Sequence, residues 1–232
     1  MKKIEIPKIE TQLEVKNETD IDVAELYLYG TIRQAYWWDD EDDCISAKNV
    51  KNALKNITAK KINVHINSGG GDVFESIAIG NLLKQHNAEI NMIVDSVAGS
   101  GASVVVMGAD TIQMFSNSMM MIHKAWTYIV GNADELRKAA DDLDKIDTAV
   151  KASYKDRFVG TDEELNDLFK DDSWLTADEC VAFGFCDEII ANKKEEKEPE
   201  NNIKQNLFNK YRKEINSETN LFQKFNKNGG KQ

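Results

Sequence analysis

Ile62-Asn63-Val64-His65-Ile66-Asn67-Ser68-Gly69-Gly70-Gly71-Asp72 is the stretch from which the architecture of this chain can be read. Its first half alternates apolar and polar positions around β-branched residues and reads as a buried strand. The strand runs into a glycine turn, and over residues 73–86 Ile77, Ile79, Leu82 and Leu83 recur at helical spacing. The same unit of strand, glycine turn and helix returns at residues 90–108, and a third strand is predicted over roughly residues 111–122. Alternation of this kind predicts an α/β domain with helices packed on the sheets.

Working outward, residues 24–32 read as a strand, and after an acidic stretch at 37–43 Ser46 is predicted to cap a helix running through Val50 and Leu54. Residues 1–20 alternate apolar and polar positions in Lys3-Ile4-Glu5-Ile6 and Leu13-Glu14-Val15, which fits an edge strand or a loosely held arm. Residues 131–158, rich in Ala, Leu, Lys and Asp, predict one long exposed helix capped by Asn132, suited to contact a partner subunit. Thr176 with Glu179 three residues on is a capping-box pattern, predicting a short helix that ends near Gly184, and residues 187–191 predict a last short strand. Residues 192–232 are rich in Asn, Lys and Glu and are expected to form a mobile tail with one weak amphipathic segment at 207–215. The organisation is therefore an arm at 1–20, a globular domain at 21–191 and a tail at 192–232.

Composition narrows the function. A chain of 232 residues holds one sizeable domain and a tail. Its net charge of −11 argues against a nucleic-acid-binding body, since phosphate contacts need clustered Lys and Arg. Residues 191–232 carry ten Lys and Arg against six Asp and Glu, which leaves residues 1–190 at −15. Cys44, Cys180 and Cys186 form no C-x-x-C pair, and no signal-like apolar stretch lies near Met1, so a reduced, cytoplasmic compartment is expected. No segment approaches the ~18 uninterrupted apolar residues of a membrane helix.

Ser100, His123 and Asp172 are the set that can serve as nucleophile, base and orienting acid. Ser100 lies in Ser96-Val97-Ala98-Gly99-Ser100-Gly101-Ala102-Ser103, a small-residue turn between two apolar runs, and His123 follows Met119-Met120-Met121-Ile122 at the end of a predicted strand. A serine hydroxyl needs an imidazole to take its proton and a carboxylate to fix the imidazole tautomer. Ser103 competes with Ser100 one helical turn on, and Asp171 competes with Asp172. His65 reads as a packed strand residue and His86 as the close of a helix. Ser68-Gly69-Gly70-Gly71 lacks both G-x-G-x-x-G and G-K-[ST], so nucleotide binding is disfavoured. The same glycines can aim backbone N–H groups at a developing oxyanion.

Ile66-Asn67-Ser68-Gly69-Gly70-Gly71, Val97-Ala98-Gly99-Ser100-Gly101-Ala102, Asn117-Ser118-Met119-Met120-Met121-Ile122-His123 and Asp172-Ser173-Trp174-Leu175-Thr176-Ala177, with Gly184-Phe185-Cys186-Asp187, follow one another in a fixed order. Over about residues 24–191 the chain resembles the Clp protease proteolytic subunit family, and most nearly its branch of phage and prophage head maturation proteases. The resemblance implies a spiral α/β fold of strand-strand-helix units with a protruding handle helix, here residues 131–158. It implies serine endopeptidase activity with Ser100 as nucleophile, His123 as general base, Asp172 as orienting acid, and the amides of Gly70 and Gly101 as oxyanion hole. It implies no cofactor or metal, assembly into rings, and protein substrates, which for the phage branch are scaffold or capsid proteins.

Three departures bear on the transfer. Gly69 stands where the family carries proline, which raises unfolded-state entropy without removing an amide donor. Gly99 replaces an alanine before the nucleophile. The arm at 1–20 does not resemble the segment that meets an AAA+ ATPase, so that partner is left open. Trp126 and Tyr128 read equally as groove-lining or core aromatics. Two rival readings stand beside the peptidase: a crotonase-type acyl-CoA enzyme of the same fold, and a non-catalytic scaffold component.

Overall fold

The computed structural model describes residues 9–17, 22–39, 44–170 and 172–190. The expectations for Lys3-Ile4-Glu5-Ile6, Asp171, and the tail at 192–232 with its segment at 207–215 lie outside these residues, as do parts of the arm and of the acidic stretch.

Eight strands and six helices occur among the described residues: β1 (Gln12–Asn17), β2 (Val23–Ile32), α1 (Ala47–Lys55), β3 (Lys61–Gly71), α2 (Val73–Lys84), β4 (Glu89–Gly99), α3 (Gly101–Val106), β5 (Thr111–Phe115), β6 (Met119–Ile122), α4 (Ala133–Lys155), α5 (Asp162–Lys170), β7 (Ser173–Thr176), α6 (Ala177–Phe183) and β8 (Glu188–Ile190). The sheet runs β1-β2-β3-β4-β5-β8, and β6 branches off β4 to pair with β7. This is the mixed α/β Clp-type fold that the motifs implied. The rows Ala24, Leu26, Leu28 on β2, Ile62, Val64, Ile66 on β3 and Ile90, Met92, Val94 on β4 stand in parallel register and are all fully or almost fully buried. Burying whole rows of apolar side chains from adjacent strands is what fixes that register.

Helix starts follow their caps. Ser46 Oγ accepts from Asn49 N ahead of α1, and Asp72 accepts from Phe74 N and Glu75 N ahead of α2. Asn132 opens α4 with a full capping box through Glu135, and Thr176 opens α6 the same way through Glu179. Gly184 closes α6 at φ 83°, the left-handed position that favours glycine.

The structure corrects three expectations. The glycines after Asn67 do not turn: β3 continues extended to Gly71, and the chain changes direction only at Asp72. Residues 111–122 form two strands, divided where Ser118 N and Oγ both donate to the Phe115 carbonyl at 2.9 Å. Ile112, Met114, Ser118, Met120 and Ile122 are all buried, so the even-numbered positions face the core on both sides of the break, and only exposed Ser116 interrupts the alternation that conceals it. α4 is not exposed along its whole length: no residue of its first half is buried, whereas its second half turns Asp147, Val150 and Tyr154 inward and keeps its other face exposed. α5 and β7 were not foreseen.

Candidate active site

β4 ends at Gly99, and Ser100 takes φ 53° and ψ −123° before α3 begins at Gly101. A non-glycine residue at positive φ is strained, and a serine on a tight strand-to-helix corner projects its hydroxyl out of the backbone. The corner is pinned. Ser100 N donates to Met121 O at 2.8 Å, while Ser103 N and Ser103 Oγ donate to Ser100 O at 3.0 and 2.6 Å. Ser103 itself is fully buried, with its hydroxyl also 2.7 Å from the Tyr154 hydroxyl.

The same strand ladder delivers the imidazole. β6 pairs in parallel with Val97, Ala98 and Gly99, so His123, one residue past its end, comes beside Ser100, one residue past the end of β4. His123 Nε2 lies 2.6 Å from Ser100 Oγ. β7 runs antiparallel to β6 with Ser173 opposite Ile122, which sets Asp172 against His123. Asp172 Oδ1 stands 3.7 Å from His123 Nδ1, at ion-pair range. Asp172 has φ 47° and, with Ser100, is one of the two non-glycine residues at positive φ among the described residues. Strain therefore sits at both ends of the Ser100–His123–Asp172 chain, the usual place for it in a functional constellation. The His123 imidazole is only 10% exposed, while the Asp172 side chain is 44% exposed.

Glycine lets β3 reach this corner. A Cβ on Gly70, which has φ +87°, would come within 2.4 Å of Gly99 O and 2.6 Å of Gly101 N, and one on Gly101 would meet Ser76 Oγ at 2.2 Å. The two backbones thus converge at Ser100. Gly101 is the first residue of α3, so its N–H has no carbonyl four residues back to bond. The Gly70 N–H donates to Ser68 Oγ at 3.0 Å, and that hydroxyl donates to Gly30 O at 2.6 Å. To hold a substrate oxygen, Gly70 has to exchange this internal acceptor for the new one.

Sequence reasoning missed two supports. Asp147, on the buried side of α4, accepts from Ala125 N at 2.8 Å and so fixes the chain just beyond His123. Tyr154, one per cent exposed, backs Ser103, and burial pushes its phenol pKa upward, so the hydroxyl stays protonated. Neither has a local motif. Each could be found only by knowing that α4 folds back onto α3.

The remaining predicted residues fall elsewhere. His65 bonds Asp95 and Glu25 within the sheet, and His86 Nδ1 accepts from Ala88 N at 3.1 Å after α2. Trp126 and Tyr128 are 73% and 86% exposed, which rules out the core reading in this chain. Cys44, Cys180 and Cys186 are buried and join no disulfide among the described residues. Among the described residues no group of three or more His, Cys, Asp or Glu side chains is arranged to hold a metal ion, and no helix is long and apolar enough to cross a membrane.

Comparison with known proteins agrees with the order of the motifs. Residues 43–193 match the sequence profile of the family described as Clp protease. The ATP-dependent Clp protease proteolytic subunit 2 of Treponema denticola is 30% identical over 80% of this chain and 96% of its own length. The ATP-dependent Clp protease proteolytic subunit of Ligilactobacillus salivarius is 32% identical over 58% of this chain and 70% of its own, and that of Deinococcus radiodurans 27% identical over 59% and 68%. With its fold, its strand-to-helix corner and these relatives taken together, the chain belongs to the Clp protease family, and with it to the serine-type peptidases.

Proposed function

We propose that the protein is an endopeptidase in which Ser100, His123 and Asp172 act as a catalytic triad, with the Gly70 and Gly101 amides as oxyanion hole. The observation that carries this reading is the 2.6 Å contact between His123 Nε2 and Ser100 Oγ on a strained corner. As the Ser100 oxygen attacks a peptide carbonyl carbon, His123 Nε2 takes the hydroxyl proton, and the carbonyl oxygen becomes an anion facing the two amides. Asp172 holds Nδ1–H toward itself and stabilises the imidazolium. Collapse of the intermediate breaks the C–N bond, and His123 gives its proton to the leaving amine. Water then attacks the acyl-serine while His123 takes a proton from it, and the second collapse frees the acid and restores Ser100.

The domain is read as residues 21–191, preceded by an arm at 1–20 and followed by a tail at 192–232. Ring assembly through α4 as handle follows from family membership and from the exposure of the first half of α4. Resemblance to the phage branch supports scaffold or capsid proteins as substrates, and buried cysteines that join no disulfide suit a cytoplasmic setting. The relatives above are named ATP-dependent; for this chain an AAA+ partner is left open, because the arm at 1–20 lacks the corresponding resemblance.

Fluorophosphonate labelling tests the reading. The wild-type protein is expected to label at Ser100, and Ser100→Ala to lose both label and peptide cleavage, the latter by about 10⁴-fold or more. Cleavage undiminished in Ser100→Ala overturns the assignment. An unlabelled but assembled wild-type protein favours the non-catalytic scaffold.

A further inference from the structure

Just past the end of β2, the strand that pairs with Gly70 and Gly71, lies an aromatic cluster that is part of neither the core nor the Ser100–His123–Asp172 set. Tyr36, Trp37 and Trp38 are 53%, 91% and 62% exposed. Burying one such ring is worth about 2 to 3 kcal/mol, so three together in water mark a surface with a partner. The rings do not hang loosely. Tyr36 and Trp38 stack at 4.9 Å, Trp37 meets Trp38 edge-on at 5.3 Å, and the Arg33 guanidinium lies over Tyr36 at 5.0 Å. Arg33 is forked onto Asp39, whose carboxylate also accepts from Tyr36 N at 2.6 Å, while Asp39 N donates to Tyr36 O. A cluster held this way gives up little entropy on binding.

Its place in the fold points to the occupant. Thr31 and Ile32, the last residues of β2, pair with Gly70 and Gly71, and Arg33 follows at once. Asp72 N donates to Ile32 O at 2.8 Å. The cluster is thus rooted one strand over from Gly70, at the same end of the sheet as Ser100. Phe74, 64% exposed, stands at the start of α2 just beyond Asp72. Charge narrows the choice further. The sequence continues from Trp38 as Asp39-Asp40-Glu41-Asp42-Asp43, in a body of net −15 over residues 1–190. A net charge of this sign and size repels anionic membranes and nucleic acid and attracts cationic segments.

We propose that Tyr36, Trp37 and Trp38 form an aromatic platform that captures the unfolded polypeptide substrate beside Ser100, selecting segments with bulky apolar and basic side chains. The proposal rests on the peptidase reading for its substrate, but its test does not need turnover. In the full-length Ser100→Ala protein, fluorescence anisotropy would follow two fluorescein-labelled unstructured peptides of equal apolar content. One would carry Lys at its polar positions and the other Glu. The Lys peptide is expected to bind more tightly, and Trp37→Ala with Trp38→Ala to weaken it by about tenfold or more. Trp37→Phe with Trp38→Phe should restore affinity to within about threefold, since the rings and not the indole N–H make the contact.

Equal affinity with and without the two tryptophans overturns the platform. So does a changed elution volume of the alanine variant at unchanged peptide affinity, which would make the patch a contact between copies of this chain. Fluorophosphonate labelling of the Ser100 form keeps the two proposals apart. A protein that fails to label yet loses peptide with its tryptophans refutes the peptidase reading alone. One that labels but binds peptide indifferently refutes the platform alone.

Discussion

Two histidines of this chain each sit between two polar neighbours, and the contrast separates a structural imidazole from the one proposed as base. His65 lies in mid-strand on β3, with Nδ1 2.9 Å from Asp95 and Nε2 3.1 Å from Glu25, and its ring is stacked on Tyr27 at 4.7 Å. Burial lowers its pKa, but the carboxylates of Asp95 and Glu25 outweigh burial and leave it raised. Both nitrogens of this imidazole are taken up by carboxylates, and neither is turned to a hydroxyl. His123 stands one residue past a strand end, faces a hydroxyl on one nitrogen and one carboxylate on the other, and adjoins a strained backbone. A general base needs one nitrogen turned to the proton it is to accept and one orienting partner, and of these two histidines it is His123 that has this asymmetry.

The largest effect that sharpens this comparison is expected at His123 and Asp172. His123→Ala should lower kcat by about 10³ to 10⁵-fold and Asp172→Asn by about 10² to 10⁴-fold, whereas His65→Gln should leave kcat within about threefold. Steady-state cleavage of a short fluorogenic peptide checks all three. A loss in His65→Gln matching that of His123→Ala would erase the distinction.

Smaller is the effect expected of Tyr154→Phe. It removes the hydroxyl facing Ser103 from a fully buried pair, at a cost of about 1 to 1.5 kcal/mol in stability, read by urea denaturation. Ser103 keeps its bonds to Ser100 O and Met121 O, so the corner should persist with most of its activity.

The smallest is a slope against pH. Because the folded pKa of His65 is raised, the stability it contributes is fully present below the unfolded value of about 6.5 and is lost as pH rises through the folded pKa. Tm followed from pH 6 to 9 should therefore fall more steeply in the wild type than in His65→Gln. Parallel curves would show that the Glu25–His65–Asp95 bridge does not hold its proton.

How much of this was legible in one dimension depends on the range of the forces involved. Caps are local, so Ser46, Asn132, Thr176 and Gly184 mark helix ends directly in the sequence. The candidate site was legible as residue types at strand ends, because Ser100 and His123 each follow an apolar run. What one dimension lacked was the pairing of β6 with β7, the single fact that sets Asp172 across from His123. The break between β5 and β6 stayed hidden because buried parity continues through Ser118. α5 was missed although Thr161 and Glu164 cap it reciprocally, since only Leu165 and Phe169 of its residues are buried and its first turn is wholly acidic. The bond from Gly70 to Ser68 was beyond sequence reasoning, because it turns on a backbone φ of +87° that the SGGG motif permits but does not dictate.

The position of β7 on the outer side of β6 also has a consequence in time. A ribosome adding roughly 5 to 20 residues per second delivers Ser100 and His123 several seconds before Asp172. During that interval the nascent chain holds the proposed nucleophile and base without the carboxylate proposed to align them. The ladder that brings Asp172 in can form only after residues 173–176 have emerged and docked, so completion of the site is tied to completion of the domain. A peptidase wired in this order is least able to cut its own unfinished chain, or its neighbours on the same message, when those chains are most exposed.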